Sequence, residues 1–212
     1  MKNNRVLQAR EFLKKKGFHI ATKQDISRLS DIAADAYENY PLHNWFGNGK
    51  YDKYMSRKII EISLLTMMKN GVIYSDKERN GFAIWMPEGF TGSKTLPFLF
   101  NGGLSIIKKS GFSIISKLLS YENFAMGLKK KLTQNKDWYL YNLSVSPDMQ
   151  GKGIGKSLVT GMLEFCKAKK IKCYLETNKK SNVGLYQSLG FQCVEDTMVP
   201  NSDVRHFAMV CG

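Results

Sequence analysis

The sequence predicts a mixed α/β (α+β) fold: a central sheet of about six or seven strands flanked by helices, with a helical insertion ahead of the strand at 138–146. Three observations carry this. Strand-like and helix-like segments alternate through the last third of the chain, where Gly153–Lys170 places Ile154, Leu158, Met162 and Phe165 in one helical stripe. Next, Ile171–Thr177 alternates with period two, setting Ile171, Cys173, Leu175 and Thr177 on one side and Lys172, Tyr174 and Glu176 on the other. Finally, 212 residues that are 43% hydrophobic and 24% charged suit one folded domain, residues 1–212, with no linker or internal repeat to divide it.

The elements follow in order. Met1–Lys16 reads as an amphipathic helix with Val6, Ala9, Phe12 and Leu13 on one face. It lacks the apolar segment and small-residue cleavage site of a secretory signal. Phe18–Ala21 is a short first strand. From Thr22 a helix opens, carrying Ile26, Leu29, Ile32 and Ala36 at helical spacing. The aromatic segment Tyr37–Phe46, interrupted by Pro41, breaks that helix and is expected as a loop or short helix near a ligand. Tyr51–Lys69 is again helical and stops at Asn70-Gly71. Val72–Ser75 and Gly81–Met86 form a hairpin around a polar turn. Residues 88–136 are read as an insertion of two or three helices joined by glycine-containing turns. After Trp138–Ser146, Gly153–Lys170 and Ile171–Thr177 come a short helix Asn182–Leu189, capped by Gly190, and two closing strands, Phe191–Asp196 and Val204–Val210.

Composition limits the functional classes. No apolar stretch is long enough to span a bilayer; the most apolar run, Leu96–Ile107, is broken by Pro97, Asn101, Gly102 and Gly103. The four cysteines, Cys166, Cys173, Cys193 and Cys211, contain no close C-x-x-C pair, so neither a metal site nor a disulfide framework follows, and reduced thiols in a cytoplasmic protein are expected. The net charge of +14 gathers at Lys2–Lys16, Lys108–Lys136 and Lys167–Lys180. Such a charge suits a polyanionic partner, yet no helix-turn-helix, RNA-binding aromatic motif or zinc finger is present to organise base contacts. A solvated basic surface, without specific nucleic-acid or membrane binding, is the expectation.

The chemistry concentrates in Gln150-Gly151-Lys152-Gly153-Ile154-Gly155-Lys156, directly after a strand and at the opening of a helix. The first amides of a helix lack internal partners and face the positive end of its dipole, and glycines let a phosphate approach the backbone. This turn is therefore suited to a pyrophosphate. It does not fit a dinucleotide fingerprint, which wants G-x-G-x-x-G near a first strand. Nor does it fit a P-loop, since only three residues separate Gly151 from Gly155 where four are needed.

At this point the sequence resembles the GCN5-related N-acetyltransferase (GNAT) superfamily, whose signature [QR]-x-x-G-x-[GA] is matched by Gln150, Gly153 and Gly155. Leu143-x-Val145-x-Pro147 resembles that family's splayed strand, and Asn182-x-x-x-Tyr186-x-x-x-Gly190-Phe191 its second CoA-side motif. Tyr40-Pro41-Leu42 with Trp45, Ala83–Pro87 and Trp138-Tyr139-Leu140 look like the branch containing puromycin-type small-molecule acetyltransferases. The His-Pro pair frequent there is replaced by Gln134–Asp137, so no role for that histidine carries over.

The resemblance implies an acyltransferase with residues 138–191 as an acetyl-CoA-binding core. Leu143, Ser144 and Val145 would bond the pantetheine arm through backbone groups, with an N–H at Leu143 or Ser144 polarising the thioester. Gln150, Gly151, Lys152, Gly153, Ile154, Gly155 and Lys156 would hold the pyrophosphate. Asn182 would contact the arm, unless it is only a helix N-cap, and Tyr186 would protonate the departing thiolate. The reaction expected is direct attack of a small-molecule primary amine, less readily a peptide or protein amine, on acetyl-CoA. Glu176 is the first candidate base; Glu38, Glu88, Asp137 and His43 are alternatives, and His19 and His206 read as structural or solvated. Tyr37–Phe46, Trp85–Phe90 and the insertion are expected to build the acceptor pocket, in a monomer or homodimer. The competing classes are a non-catalytic CoA sensor and a basic nucleic-acid-binding protein.

Overall fold

In the computed structural model, which describes residues 2–92 and 104–212, seven strands form one mixed sheet in the order β1-β2-β3-β4-β5-β7-β6. The strands are β1 (His19–Ile20), β2 (Val72–Ser75), β3 (Gly81–Met86), β4 (Trp138–Val145), β5 (Cys173–Thr177), β6 (Gln192–Met198) and β7 (Arg205–Cys211). All neighbours are antiparallel except β4 and β5. The expected first strand is therefore shorter than Phe18–Ala21, and β5 begins two residues later than Ile171.

One face of the sheet is covered by α1 (Lys2–Lys15), α7 (Ile154–Ala168) and α8 (Lys180–Gln187). The α1 stripe behaves as its spacing predicts: Val6, Ala9 and Leu13 are buried, and the Phe12 ring lies 5.8 Å from that of Phe165 on α7. Gly161 of α7 makes room for Phe18 and Leu13, because a Cβ there would sit 2.5 Å from the Phe18 ring and 3.3 Å from Leu13.

The other face is covered by α2 (Ile26–Ala36), α4 (Lys53–Met67) and α6 (Phe112–Thr133), with the short helices α3 (Pro41–Phe46) and α5 (Leu104–Ser110) beside them. Tyr37–Phe46 thus resolves into a turn and a helix, for which Pro41 supplies the first residue, where its missing N–H is no loss. Two insertion helices are described, joined at Gly111, whose φ of 89° makes the break; residues 93–103, which hold the rest of the expected insertion, lie outside the described residues. Gly127, by contrast, is carried inside α6. Two lysines of the Lys108–Lys136 cluster serve the fold instead of a solvated surface. Lys129 is fully buried and donates to the Phe90 carbonyl (3.0 Å) and Asn135 Oδ1 (2.9 Å), while Lys117 donates to the Trp45 carbonyl (2.6 Å). No described helix is long and apolar enough to cross a membrane.

Candidate functional site

The site is created by a divergence of strands. β4 and β5 pair only through Trp138–Cys173, Tyr139–Tyr174 and Leu140–Leu175, although β4 runs on to Val145 and β5 to Thr177. On its other edge β4 remains paired with β3, with a bulge at Tyr141: Ile84 pairs with Asn142 and Trp85 with Leu140. The extra residue turns two consecutive side chains, Tyr141 and Asn142, to the α2–α4–α6 side of the sheet. Ser146 donates its N–H to the Asn80 carbonyl on the β3 side. Strand alternation then turns the N–H and C=O of Ser144 and Asn142 the same way, and those of Leu143 and Val145 into the gap. Of the two candidate oxyanion donors, only Leu143 thus faces the opening. The Ser144 side chain is instead buried and donates to Asn142 Oδ1 at 3.1 Å.

At the mouth of this gap lies the glycine turn. Gln150 follows a single 3-10 turn, Pro147–Met149, and its Nε2 donates to the Val145 carbonyl (3.1 Å), tying turn to strand. Gly151 and Gly153 have φ of 77° and 82°, a region that costs residues with a Cβ about 1–2 kcal/mol, and nothing lies within 4 Å of where a Cβ would stand. Gly153 is the N-cap of α7 and has no side chain to cap it. Since the first intrahelical bond beyond the cap is Ser157 N–H to the Gly153 carbonyl, the amides of Ile154, Gly155 and Lys156 have no helical acceptor. Gly155 faces β4: a Cβ there would meet Val145 and Leu143 at 3.6 and 3.7 Å. Lys152 and Lys156 are exposed beside the turn.

Behind the gap is a cavity of about 180 Å³, walled by Tyr37, Tyr40, His43 and Phe46 from α2–α3, Ile59, Ile62 and Ser63 from α4, Leu118, Tyr121 and Met126 from α6, and Tyr139, Tyr141 and Asn142 from β4. Glu176, Asn178, Asn182 and Tyr186 close it from the β5–α8 side. The spacing of α4 announced only a core helix, so its share in the wall was not legible. The expected contribution of 85–90 is not found. Trp85 belongs to the core on the opposite face, and Glu88 is tied there by Trp138 Nε1 (2.6 Å) and Arg5 (2.8 Å).

Two carboxylates line this wall, Glu122 from α6 and Glu176 at the end of the splayed β5, and the Glu176 side chain is 4% exposed. Tyr174 and Tyr139 donate their hydroxyls to its Oε1 (2.7 Å) and Oε2 (3.1 Å). Burial outweighs these bonds and the nearby Lys129 charge, and holds the carboxyl up at about 7. The alternative bases are placed elsewhere: Glu38 is exposed, and neither Asp137 nor Glu88 reaches the cavity. His43 does line it, but burial holds its imidazole down at about 3, with Nδ1 2.7 Å from Ser56 Oγ and the Tyr37 ring stacked at 4.1 Å. It is a neutral wall residue and not a base for neutral pH. His19 lies apart, paired with Asp25.

Tyr186, 6% exposed on α8, lines the cavity from the gap side; burial pushes its phenol well up, so it is protonated at any working pH. Asn182 is not the helix N-cap, a position held by Lys179. It lies in the first turn of α8 and donates to Thr177 Oγ1 at 3.2 Å. Tyr40 completes the wall: its hydroxyl accepts from the Asn178 N–H at 2.8 Å.

Residues 113–191 match the model of the acetyltransferase (GNAT) family. Solved structures share the fold across nearly the whole chain. A histone acetyltransferase HPA2 and related acetyltransferase from Corynebacterium glutamicum superposes with a TM-score of 0.60 at 19% identity, covering 91% of this chain and 93% of that one. Arylalkylamine N-acetyltransferase 2 from Aedes aegypti gives 0.58 at 18% identity (91% and 96%), and an agmatine N-acetyltransferase gives 0.60 at 12% identity (91% and 97%).

Proposed function

We propose that the chain is an acyltransferase of the GNAT family and that it moves the acetyl group of acetyl-CoA to a primary amine of a small molecule. The observation that carries this reading is the opening between β4 and β5, which has anion-binding amides at one end and a buried carboxylate with a protonated phenol at the other.

In this reading the amides of 154–156 hold the pyrophosphate at the helix N-terminus, with Gln150, Gly151, Lys152 and Lys156 around it. The Leu143 and Val145 backbone groups bond the pantetheine arm as an added strand would, with Ser144 held behind them and Asn182 flanking the arm. The Leu143 N–H polarises the thioester carbonyl. Glu176 takes the proton of the acceptor ammonium, for which a value near 7 is well matched. The free amine attacks the carbonyl carbon, the C–S bond breaks, Tyr186 delivers a proton to the leaving sulfur, and the proton then shed by the new amide nitrogen restores the Tyr186 phenol through water. No enzyme nucleophile is required.

The wall also bears on the acceptor. About 180 Å³ of mostly aromatic and aliphatic lining, with the carboxylates of Glu122 and Glu176, suits a compact amine with an apolar body. The small volume, with the net charge of +14, disfavours polyamines and aminoglycosides, whose several cations would have to be desolvated there. The structures named above include enzymes named for arylalkylamines and for agmatine, and the lining favours the first kind. The test is thiol release from acetyl-CoA with a panel holding 2-phenylethylamine, agmatine, spermidine and a lysine peptide. Turnover is expected with the first. Tight CoA binding without turnover on any amine would leave the CoA-sensor reading in its place.

A further inference from the structure

We propose that His206 is a positioning residue for Glu176: held in a single tautomer by Asn178, it aims its Nε2–H at Oε1 of the carboxylate. The role rests on the reading of Glu176 as the base.

His206 lies on β7, fully buried. β5 and β7 pair with Glu176 opposite Ala208, so His206 is the diagonal cross-strand neighbour of Glu176 on the cavity side of the sheet. Its Nε2 stands 3.8 Å from Glu176 Oε1 and is one of the buried side-chain nitrogens with no hydrogen-bond partner among the described residues. A buried polar atom left in this way is costly and calls for an explanation. The ring cannot turn freely, because Phe124 and Tyr121 of α6 meet it edge-on at 5.0 and 6.0 Å.

The tautomer follows from Asn178. Its Nδ2 donates to the Arg205 carbonyl at 2.8 Å and its Oδ1 accepts from the Tyr121 hydroxyl at 3.3 Å, which together fix the orientation of the amide. The group facing His206 Nδ1, at 3.5 Å, is therefore the donor Nδ2. Nδ1 must accept, so the ring proton sits on Nε2 and faces the carboxylate. Burial holds the imidazole down at about 4, so this donor is neutral near pH 7. When Glu176 ionises, a small closure of the 3.8 Å gap makes a third hydrogen bond to it. The other groups facing Glu176 are Tyr139 on β4, Tyr174 on β5, Lys129 and Tyr121 on α6, and Tyr40 before α3. Lys129 donates to the Phe90 carbonyl and Asn135 Oδ1 and bears on Glu176 as a nearby charge.

The experiment follows two nuclei in the intact protein. Nitrogen NMR of ¹⁵N-histidine-labelled protein is expected to show His206 as the neutral Nε2–H tautomer from pH 5 to 8; an Nδ1–H tautomer would overturn the proposal. In ¹³C-glutamate-labelled protein, the Glu176 carboxyl, assigned by its loss in Glu176→Gln, should titrate about one pH unit higher in His206→Phe, the size expected for losing one hydrogen bond to a charged group. An unchanged midpoint in a folded His206→Phe protein would also overturn it. Should that variant not fold, Asn178→Leu, which frees the tautomer, is read by the same two signals. The acidic limb of thiol release with 2-phenylethylamine separates the two claims. If Glu176→Gln keeps the limb while the NMR shifts hold, the base assignment fails and the His206 pairing stands.

Discussion

Replacing Glu176 with Gln is expected to change the pH dependence of stability in a direction opposite to that of most carboxylates. Burial lifts this group from an ordinary 4.5 to about 7. Between those values the folded protein holds a proton that the unfolded chain has lost, so stability is fully present below pH 4.5 and falls as pH rises toward 7. A window of that width corresponds to roughly 3 kcal/mol, with no discount for exposure because the side chain is 4% exposed. Gln cannot ionise and lacks this slope. It also forfeits an acceptor for one of the two tyrosine hydroxyls, a loss of about 1–3 kcal/mol that does not vary with pH. The clean measurement is therefore the difference between wild type and variant in urea titrations at pH 4.5 and at pH 8. The Gln variant should gain on wild type by up to ~3 kcal/mol across that interval. A difference that stays flat would mean that Glu176 ionises at an ordinary value, and the assignment of Glu176 as a base tuned to neutrality would fall with it.

Tyr186→Phe should lower kcat of thiol release by about 10²-fold, the small end of general-acid effects, while the affinity for CoA measured by calorimetry stays unchanged; an unaltered kcat would assign Tyr186 to packing against Phe191, whose ring lies 6.0 Å away. Gly153→Ala should weaken CoA binding and lower thermal stability by about 1–2 kcal/mol, because its φ of 82° strains any residue with a Cβ; equal CoA affinity would argue against phosphate contact at this turn. Gly161→Ala is expected to cost about 1–3 kcal/mol in urea unfolding through overlap with Phe18 while leaving the pH profile of activity untouched, whereas a shifted profile would show coupling across the sheet.

Where local pattern and local structure coincide, the sequence was a sufficient guide. The period-two alternation of β5 already separated Leu175 from Glu176, and the structure puts Leu175 in the α1–α7 core and Glu176 in the cavity wall. The stripe on α1 and the glycine-cornered start of α7 are likewise consequences of residue spacing and of positive φ values that favour glycine. The reading failed where a side chain's role depends on who faces it. Glu88 was a reasonable base by type, but Trp138 and Arg5 bind it on the wrong side of the sheet. The helix expected from Asn182 begins two residues earlier, which sets Asn182 inside its first turn and turns its amide to Thr177.

By itself, the sequence determined the element types, the glycine turn and the places of Tyr186 on a helix and Glu176 on a strand, since each depends on propensity, period or a short motif. Only the tertiary structure decided that β4 and β5 part after Leu140, that a bulge turns Tyr141 and Asn142 to the same side, and that His206 meets Glu176 from β7. The physical reason is that strand pairing and burial are properties of contacts between residues far apart in the chain: Glu176 and His206 are separated by 30 positions, and nothing local to either one records the other.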